Sequence, residues 1–321
     1  NFVVVDVSDE TTIIGEVDFS AATSTLFEQA IYLVEGTQYQ VSRLDFDRRK
    51  AYARPVNSDY YTDAITSTKV TVLEEFGRVV RHGESRDPIG IRRLVDSVPC
   101  SGSTVSAVEP STHPLDGSAR DERGTPALGC HGEAHVVSRV VGFKKIKFYT
   151  SENVGSGELD LPEQEMHTTA YWLTLPGALV GSLPFAGDDR RDGIVGLGYA
   201  LRQVAQLLLM CDRHDIGLAI HGEEGRPAHS TPSSSAGVIH EEAPTIFIYD
   251  NYPGGIGFSE PLFGLHDRLL EATLTLIARC PCEAGCPACV GPIGQAGPRA
   301  KAVALALLVA IGVPDTADTL V

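Results

Sequence analysis

Basic side chains are scarce in this 321-residue sequence: 26 Lys and Arg stand against 42 Asp and Glu, a net charge of −16 at pH 7. So acidic a surface repels a phosphate backbone, which excludes broad nonspecific binding to nucleic acid and requires any such contact to come from a local patch. Long apolar runs are also missing. The longest, Ala302 to Ile311, is too short to span a bilayer, so no membrane partner is expected. Recognisable catalytic signatures are absent: no phosphate loop ending in Lys-Ser/Thr, no G-x-S-x-G elbow and no H-E-x-x-H pair. Gly254, Gly255 and Gly257 join a strand to a helix, but Glu260 stands where a dinucleotide loop would have its third glycine; a tight structural turn is the expectation. Asp250, at the end of that strand, has the chemistry of a general base but no partner visible in the sequence.

Cysteine is sparing and uneven. Of seven, four lie in the run Cys280-Pro281-Cys282-Glu283-Ala284-Gly285-Cys286-Pro287-Ala288-Cys289, spaced C-x-C-x3-C-x2-C. An odd count with one dense cluster argues against a disulfide framework and for a reducing, cytoplasmic setting. Four thiols this close suit tetrahedral thiolate coordination of one structural zinc ion, a closed site that holds a fold and performs no chemistry. An iron–sulfur cluster is the alternative, since four thiolates also hold one. Cys282, Cys286 and Cys289 alone have the C-x3-C-x2-C spacing of radical-SAM enzymes, although Cys280 would fill the iron position that their chemistry needs open. Free or disulfide-bonded thiols are the third possibility.

The length implies about two domains, and 43% hydrophobic content allows each a core. The chain opens at Asn1, directly in an apolar run, and is expected to be a piece of a longer protein. β-branched runs at Phe2–Val5 and Thr12–Val17, a turn at Glu35-Gly36 and strands around it point to an antiparallel meander, with a helical turn near Ser20–Leu26. Residues 96–132 are rich in Ser, Gly, Pro and Thr without periodicity. Apolar residues stepping by three and four predict helices over 193–212, from Ser259 to Arg279, and over 299–311. The expected fold class is α+β: an N-terminal antiparallel β-rich, barrel-like subdomain (residues 1–76 with 134–155), a flexible insertion (77–133) and an α/β zinc-binding domain with a four-cysteine site (156–321).

One strand breaks the acidic pattern. Val136 to Thr150 carries Arg139, Lys144, Lys145 and Lys147 with no acid. Such lysines protect a strand edge, or they contact phosphates while Phe143, Phe148 or Tyr149 stacks on bases. His167, in Met166-His167-Thr168-Thr169, is a structural histidine or a phosphate contact.

Several of these segments together are familiar. Val141-Gly142-Phe143-Lys144-Lys145-Ile146-Lys147-Phe148, then Leu161-Pro162-Glu163-Gln164-Glu165-Met166-His167-Thr168-Thr169-Ala170 with Trp172, then Tyr249-Asp250 with Pro253-Gly254-Gly255-Ile256-Gly257, and the four-cysteine run resemble the C-terminal region of MrfA-type DEAD/DEAH-box DNA helicases. Tyr32 to Tyr61 is similar to the part preceding it. The resemblance implies an accessory, zinc-binding piece of an ATP-dependent 3′ to 5′ helicase linked to DNA repair. The ATPase residues of that family sit in motor domains outside this chain. It implies Cys280, Cys282, Cys286 and Cys289 as ligands of one zinc, and Lys144, Lys145, Lys147 and His167 as candidate contacts to single-stranded DNA. Its implied partners are that strand and the helicase core of the same parent chain. A zinc-stabilised protein-interaction module that never touches DNA is the alternative.

Overall fold

The computed structural model describes residues 1–7, 12–81, 127–150, 152–221, 243–291 and 296–314. The chain divides into two compact units, Asn1–Lys69 with Val136–Met166, and Val70–His135 with His167–Val321. From sequence the cuts fall instead at 76, 134 and 155. Most of the Ser/Gly-rich stretch, including Cys100, and most of the polar loop at 222–243 lie outside the described residues.

The first unit is β-rich. Strands β1 (Phe2–Asp6), β2 (Ile13–Val17), β3 (Ile31–Val34), β4 (Thr37–Asp45) and β5 (Lys50–Pro55) form one sheet in the order β2-β1-β5-β4-β3. It is antiparallel except between β1 and β5, which run parallel. The turn expected at Glu35-Gly36 is there: both residues have positive φ (50° and 79°), the backbone twist that matches a two-residue hairpin. Helix α1 (Phe19–Thr25) leads to Leu26 and Phe27, which join Phe2, Val4, Val41, Ala51, Ala53 and Phe143 in the unit's core.

Three strands pass from one unit into the other: β6 (Tyr60–Arg81), β7 (Ala127–Lys147) and β9 (Gln164–Thr174). The first two exceed 20 residues, well beyond ordinary strand length. The ends of the stretch read from sequence as an insertion, Gly77–Arg81 and Ala127–Glu133, are therefore strand. Glycines at 77, 129 and 132 hide this in the sequence, because each gives up a side chain to a close neighbour. A Cβ on Gly132 would sit 1.9 Å from the Glu74 carbonyl oxygen. Within the first unit β7 also pairs with the short strand β8 (Asn153–Glu158).

In the second unit the strand order is β10 (Ile216–His221), β11 (Thr245–Asp250), β9, β7, β6. Its helices are α2 (Gly177–Ser182), α3 (Gly187–Leu209), α4 (Ser259–Gly264), α5 (His266–Arg279) and α6 (Ala300–Ala310). Tyr171 and Leu173 of β9, Ile246 and Ile248 of β11, Leu197 and Leu201 of α3, Leu269 and Ile277 of α5, and Val303 and Leu307 of α6 share one core. No described helix is long and apolar enough to cross a membrane. The helix expected from Ser259 to Arg279 is interrupted at Leu265. Its apolar face is consequently rephased, so that His266, Leu270, Thr273, Leu274 and Ile277 are buried with Leu269, whereas Ala272 and Leu276 are only half-buried.

Candidate metal centre and basic strand

The cysteine run follows α5 directly, and α6 packs beside it. Neighbouring sulfurs lie 3.5 Å apart for Cys280 and Cys282, Cys280 and Cys286, and Cys282 and Cys289, and 3.7 Å apart for Cys286 and Cys289. All four fall within 4.8 Å of one another. A tetrahedral ion with metal–sulfur bonds of about 2.3 Å holds its ligands roughly 3.8 Å apart, close to what is found. Disulfides require about 2.05 Å, so no pair here is bonded. An iron–sulfur cluster would spread the sulfurs over several metal atoms, whereas these surround a single centre.

Local chemistry builds this geometry. Gly285 has φ of 138° and Gly291 of 93°, so the chain turns back on itself on both sides of the last two cysteines. The Cys289 and Gly291 N–H groups both donate to the Cys286 carbonyl (3.0 and 3.1 Å). From α3, the Tyr199 hydroxyl and the Gln203 amide donate to the Pro287 carbonyl (3.1 and 2.7 Å). From α6, the Lys301 ammonium donates to the carbonyls of Cys280 and Cys282 at 2.7 and 2.5 Å. Four thiolates around a divalent ion leave two negative charges, which a nearby ammonium partly offsets. The N–H of Cys282 draws the Cys280 thiol down to about 7, while burial pushes Cys289 up to about 12. Metal-free, Cys289 thus keeps its proton at neutral pH, and a bound cation would displace it.

Two glycines let this assembly close. Added Cβ atoms would lie 2.2 Å from Val303 at Gly193, and 3.1 Å from Val290 and 3.2 Å from Ala300 at Gly196. Lys301, Tyr199 and Gln203 are not evident as supporting residues from sequence alone. The one signal was a lone lysine inside an otherwise apolar final helix.

Asp250 is buried, and its Oδ2 accepts the backbone N–H of Ile256, Gly257 and Phe258 (2.8, 2.8 and 3.1 Å) and the Thr169 hydroxyl (3.2 Å). The glycine loop is therefore a structural turn wrapped around one carboxylate oxygen. Gly255 is required there: its φ is 70° and a Cβ would meet Thr169 Oγ1 at 2.6 Å.

In the first unit, the basic strand presents its lysines unequally. Lys147 pairs with Asp59 at 3.8 Å and Arg139 pairs with Asp160. Lys145 reaches the Gln29 side-chain oxygen (3.2 Å) and lies 5.6 Å from the centre of the Tyr60 ring. Lys144 has no ion pair among the described residues. Phe143 is 1% exposed, lies 5.2 Å from Phe27 and covers Gly157, so it is a core residue closed to any ligand. His167 belongs to the second unit; its exposed ring lies 4.9 Å from that of His135, and its carbonyl accepts the Gly254 N–H at 2.7 Å.

Comparison with known proteins agrees with this architecture. Residues 197–290, from within α3 through all four cysteines, match the family model of the MrfA Zn-binding domain. The chain is 34% identical over 293 residues to YprA, described as an uncharacterized ATP-dependent helicase, of Bacillus subtilis (strain 168); the match covers 91% of this chain and 31% of YprA. It is similar to a crystal structure of the DUF1998 helicase MrfA bound to DNA, with a TM-score of 0.53, 33% identity and coverage of 96% of this chain and 33% of that one. A second crystal structure of MrfA gives a TM-score of 0.51 and 29% identity, with coverage of 92% and 33%. The chain thus spans about a third of the length of these relatives and is homologous to that part of them, with residues 197–290 matching the MrfA Zn-binding domain.

Proposed function

We infer that this chain is the zinc-bearing accessory part of an ATP-dependent DNA helicase, in which it guides a single DNA strand. One zinc ion held by Cys280, Cys282, Cys286 and Cys289 is structural: it pins the C-terminal end of α5 to α3 and α6 and leaves no coordination position for chemistry. The observation that carries this reading is the four-sulfur centre, set in a chain that aligns almost end to end with part of a helicase crystallised with DNA. ATP hydrolysis, 3′ to 5′ movement and a role in repair belong to the parent protein, whose motor domains are the natural partner of this piece. The setting is the reducing cytoplasm, where four thiols stay available to metal. Lys144 and Lys145, free of ion pairs with acids among the described residues, are the phosphate contacts, with Lys147 and His167 as further candidates.

The test is binding of a fluorescent single-stranded oligonucleotide across a salt series. Two lysines engaging two phosphates give a log–log salt slope near −1.4. Lys144→Glu with Lys145→Glu abolishes that salt-dependent binding; unchanged affinity in the double variant would refute the assignment. A second reading, a protein-docking module, is favoured by the net charge of −16 and by the acids already paired with Arg139 and Lys147. That reading predicts no salt-dependent binding at all.

A further inference from the structure

The hairpin between β7 and β8 ends in an unusual residue. Tyr149 is fully exposed and holds a left-handed backbone, φ 67°, making it the one aromatic residue with positive φ among the described residues. That conformation is costly for a bulky side chain and is kept where the surroundings impose it. They do so here: Lys147 N–H donates to the Glu152 carbonyl, Phe148 N–H to the Asp59 carbonyl and Thr150 N–H to the Phe148 carbonyl, all at 2.8–2.9 Å. The rings form a short series. Tyr61, 40% exposed, lies 5.7 Å from Phe148, and Phe148 lies 6.4 Å from Tyr149, with interplanar angles of 43° and 54°. Lys147 begins this tip, and its only ion pair among the described residues is with Asp59, itself exposed.

We propose that Tyr149, with Phe148 and Tyr61 behind it, is a stacking platform for a nucleobase of single-stranded DNA. This rests on the reading that the chain contacts a DNA strand, and it specifies how. An apolar ring held out in water by a fixed turn gains nothing for the fold, but it offers a face to any base, whatever its sequence. Acids flank the platform: Asp59 at the tip and Glu152 across the hairpin. Phosphate attraction through Lys144 and Lys145 is correspondingly modest, and base stacking adds to it a contribution that releases no counterions.

The experiment compares a short oligothymidylate with an abasic strand of equal length, using the full chain and its Tyr149→Asn and Tyr149→Phe variants. Asparagine tolerates the left-handed backbone, so the turn survives the loss of the ring. The expected result is that oligothymidylate binds at least about fivefold more tightly than the abasic strand. Tyr149→Asn should erase that difference without changing abasic binding, and Tyr149→Phe should retain it. Equal binding of the two strands by the unaltered chain overturns the platform while leaving the lysine contacts standing. Equal weakening of both strands by Tyr149→Asn also overturns it, assigning the ring a structural role. Binding of neither strand removes the DNA reading as well.

Discussion

At the scale of single residues, two buried polar groups show how much of this chain's polar chemistry is structural. Asp250 satisfies three backbone N–H groups that the turn at 254–258 would otherwise leave without acceptors. Asp250→Ala should destabilise the protein by about 3 kcal/mol in urea unfolding, because charge-assisted bonds to backbone donors are among the strongest of their kind. Asp250→Asn, which keeps one oxygen in place, should cost less; equal costs would contradict the geometry. His266 is 4% exposed, with Nδ1 2.8 Å from the Tyr171 hydroxyl and Nε2 unpartnered among the described residues. Burial pushes its pKa below the ordinary value, with Asp267 opposing and Arg81 adding to the shift. The folded state therefore keeps it neutral where the unfolded chain, titrating near 6.5, takes up a proton. Its contribution is complete above about pH 6.5 and is lost as pH falls below that, at no more than roughly 1.4 kcal/mol per pH unit. His266→Gln should flatten this part of the stability profile; a profile of unchanged slope would exclude His266 as its source.

At the scale of elements, α3 is the organising helix of the second unit, and its glycines explain how. Glycine inside a helix costs about 1 kcal/mol relative to alanine. Gly193 and Gly196 offset that cost by admitting Val303, Val290 and Ala300 to the helix backbone. Gly193→Ala would gain helix propensity and still lose stability, by about 1–3 kcal/mol, since its methyl would overlap the Val303 side chain. Val303→Ala in the same chain should recover part of the loss. A double variant no more stable than the sum of the two single changes would show that the contact is not what couples the helices. Much of this level is legible in the sequence: the stripe Ile194, Leu197, Leu201 and Val204, the hairpin turn at Glu35-Gly36 and the final apolar helix all follow from periodicity and turn chemistry. The rest is not, for physical reasons. A strand as long as β6 carries polar residues on an exposed face and a glycine, Gly77, where neighbours crowd it, so its pattern has no simple period. The parallel pairing of β1 with β5 is a non-local choice that neither strand encodes alone.

At the scale of the whole molecule, the two units have separate cores, and among the described residues the four-cysteine cluster lies in the second. Cys289 and Val290 are part of the second unit's core, and Cys280, Cys282 and Cys286 pack against it. The cysteine cluster was legible because its spacing is local; the residues around it were not, because Tyr199, Gln203 and Lys301 come from helices distant in sequence. Metal that binds only the folded form stabilises it by mass action, by about 4 kcal/mol when free ion exceeds the dissociation constant a thousandfold. Protein purified without added metal should therefore carry one zinc per chain, and stripping it with a chelator should lower the unfolding temperature of the second unit. The first unit's core, built on Phe2, Val4, Val41 and Phe143, includes none of the four clustered cysteines and should melt where it did before. Scanning calorimetry with and without chelator distinguishes the outcomes. A shift confined to one of two transitions places the metal's contribution in the second unit's core. Movement of a single transition as a whole would mean that the long strands passing between the units make them unfold together. A thermogram unaffected by complete zinc removal would sink the structural role altogether, since four neighbouring thiols freed of a metal must either take up protons or repel one another.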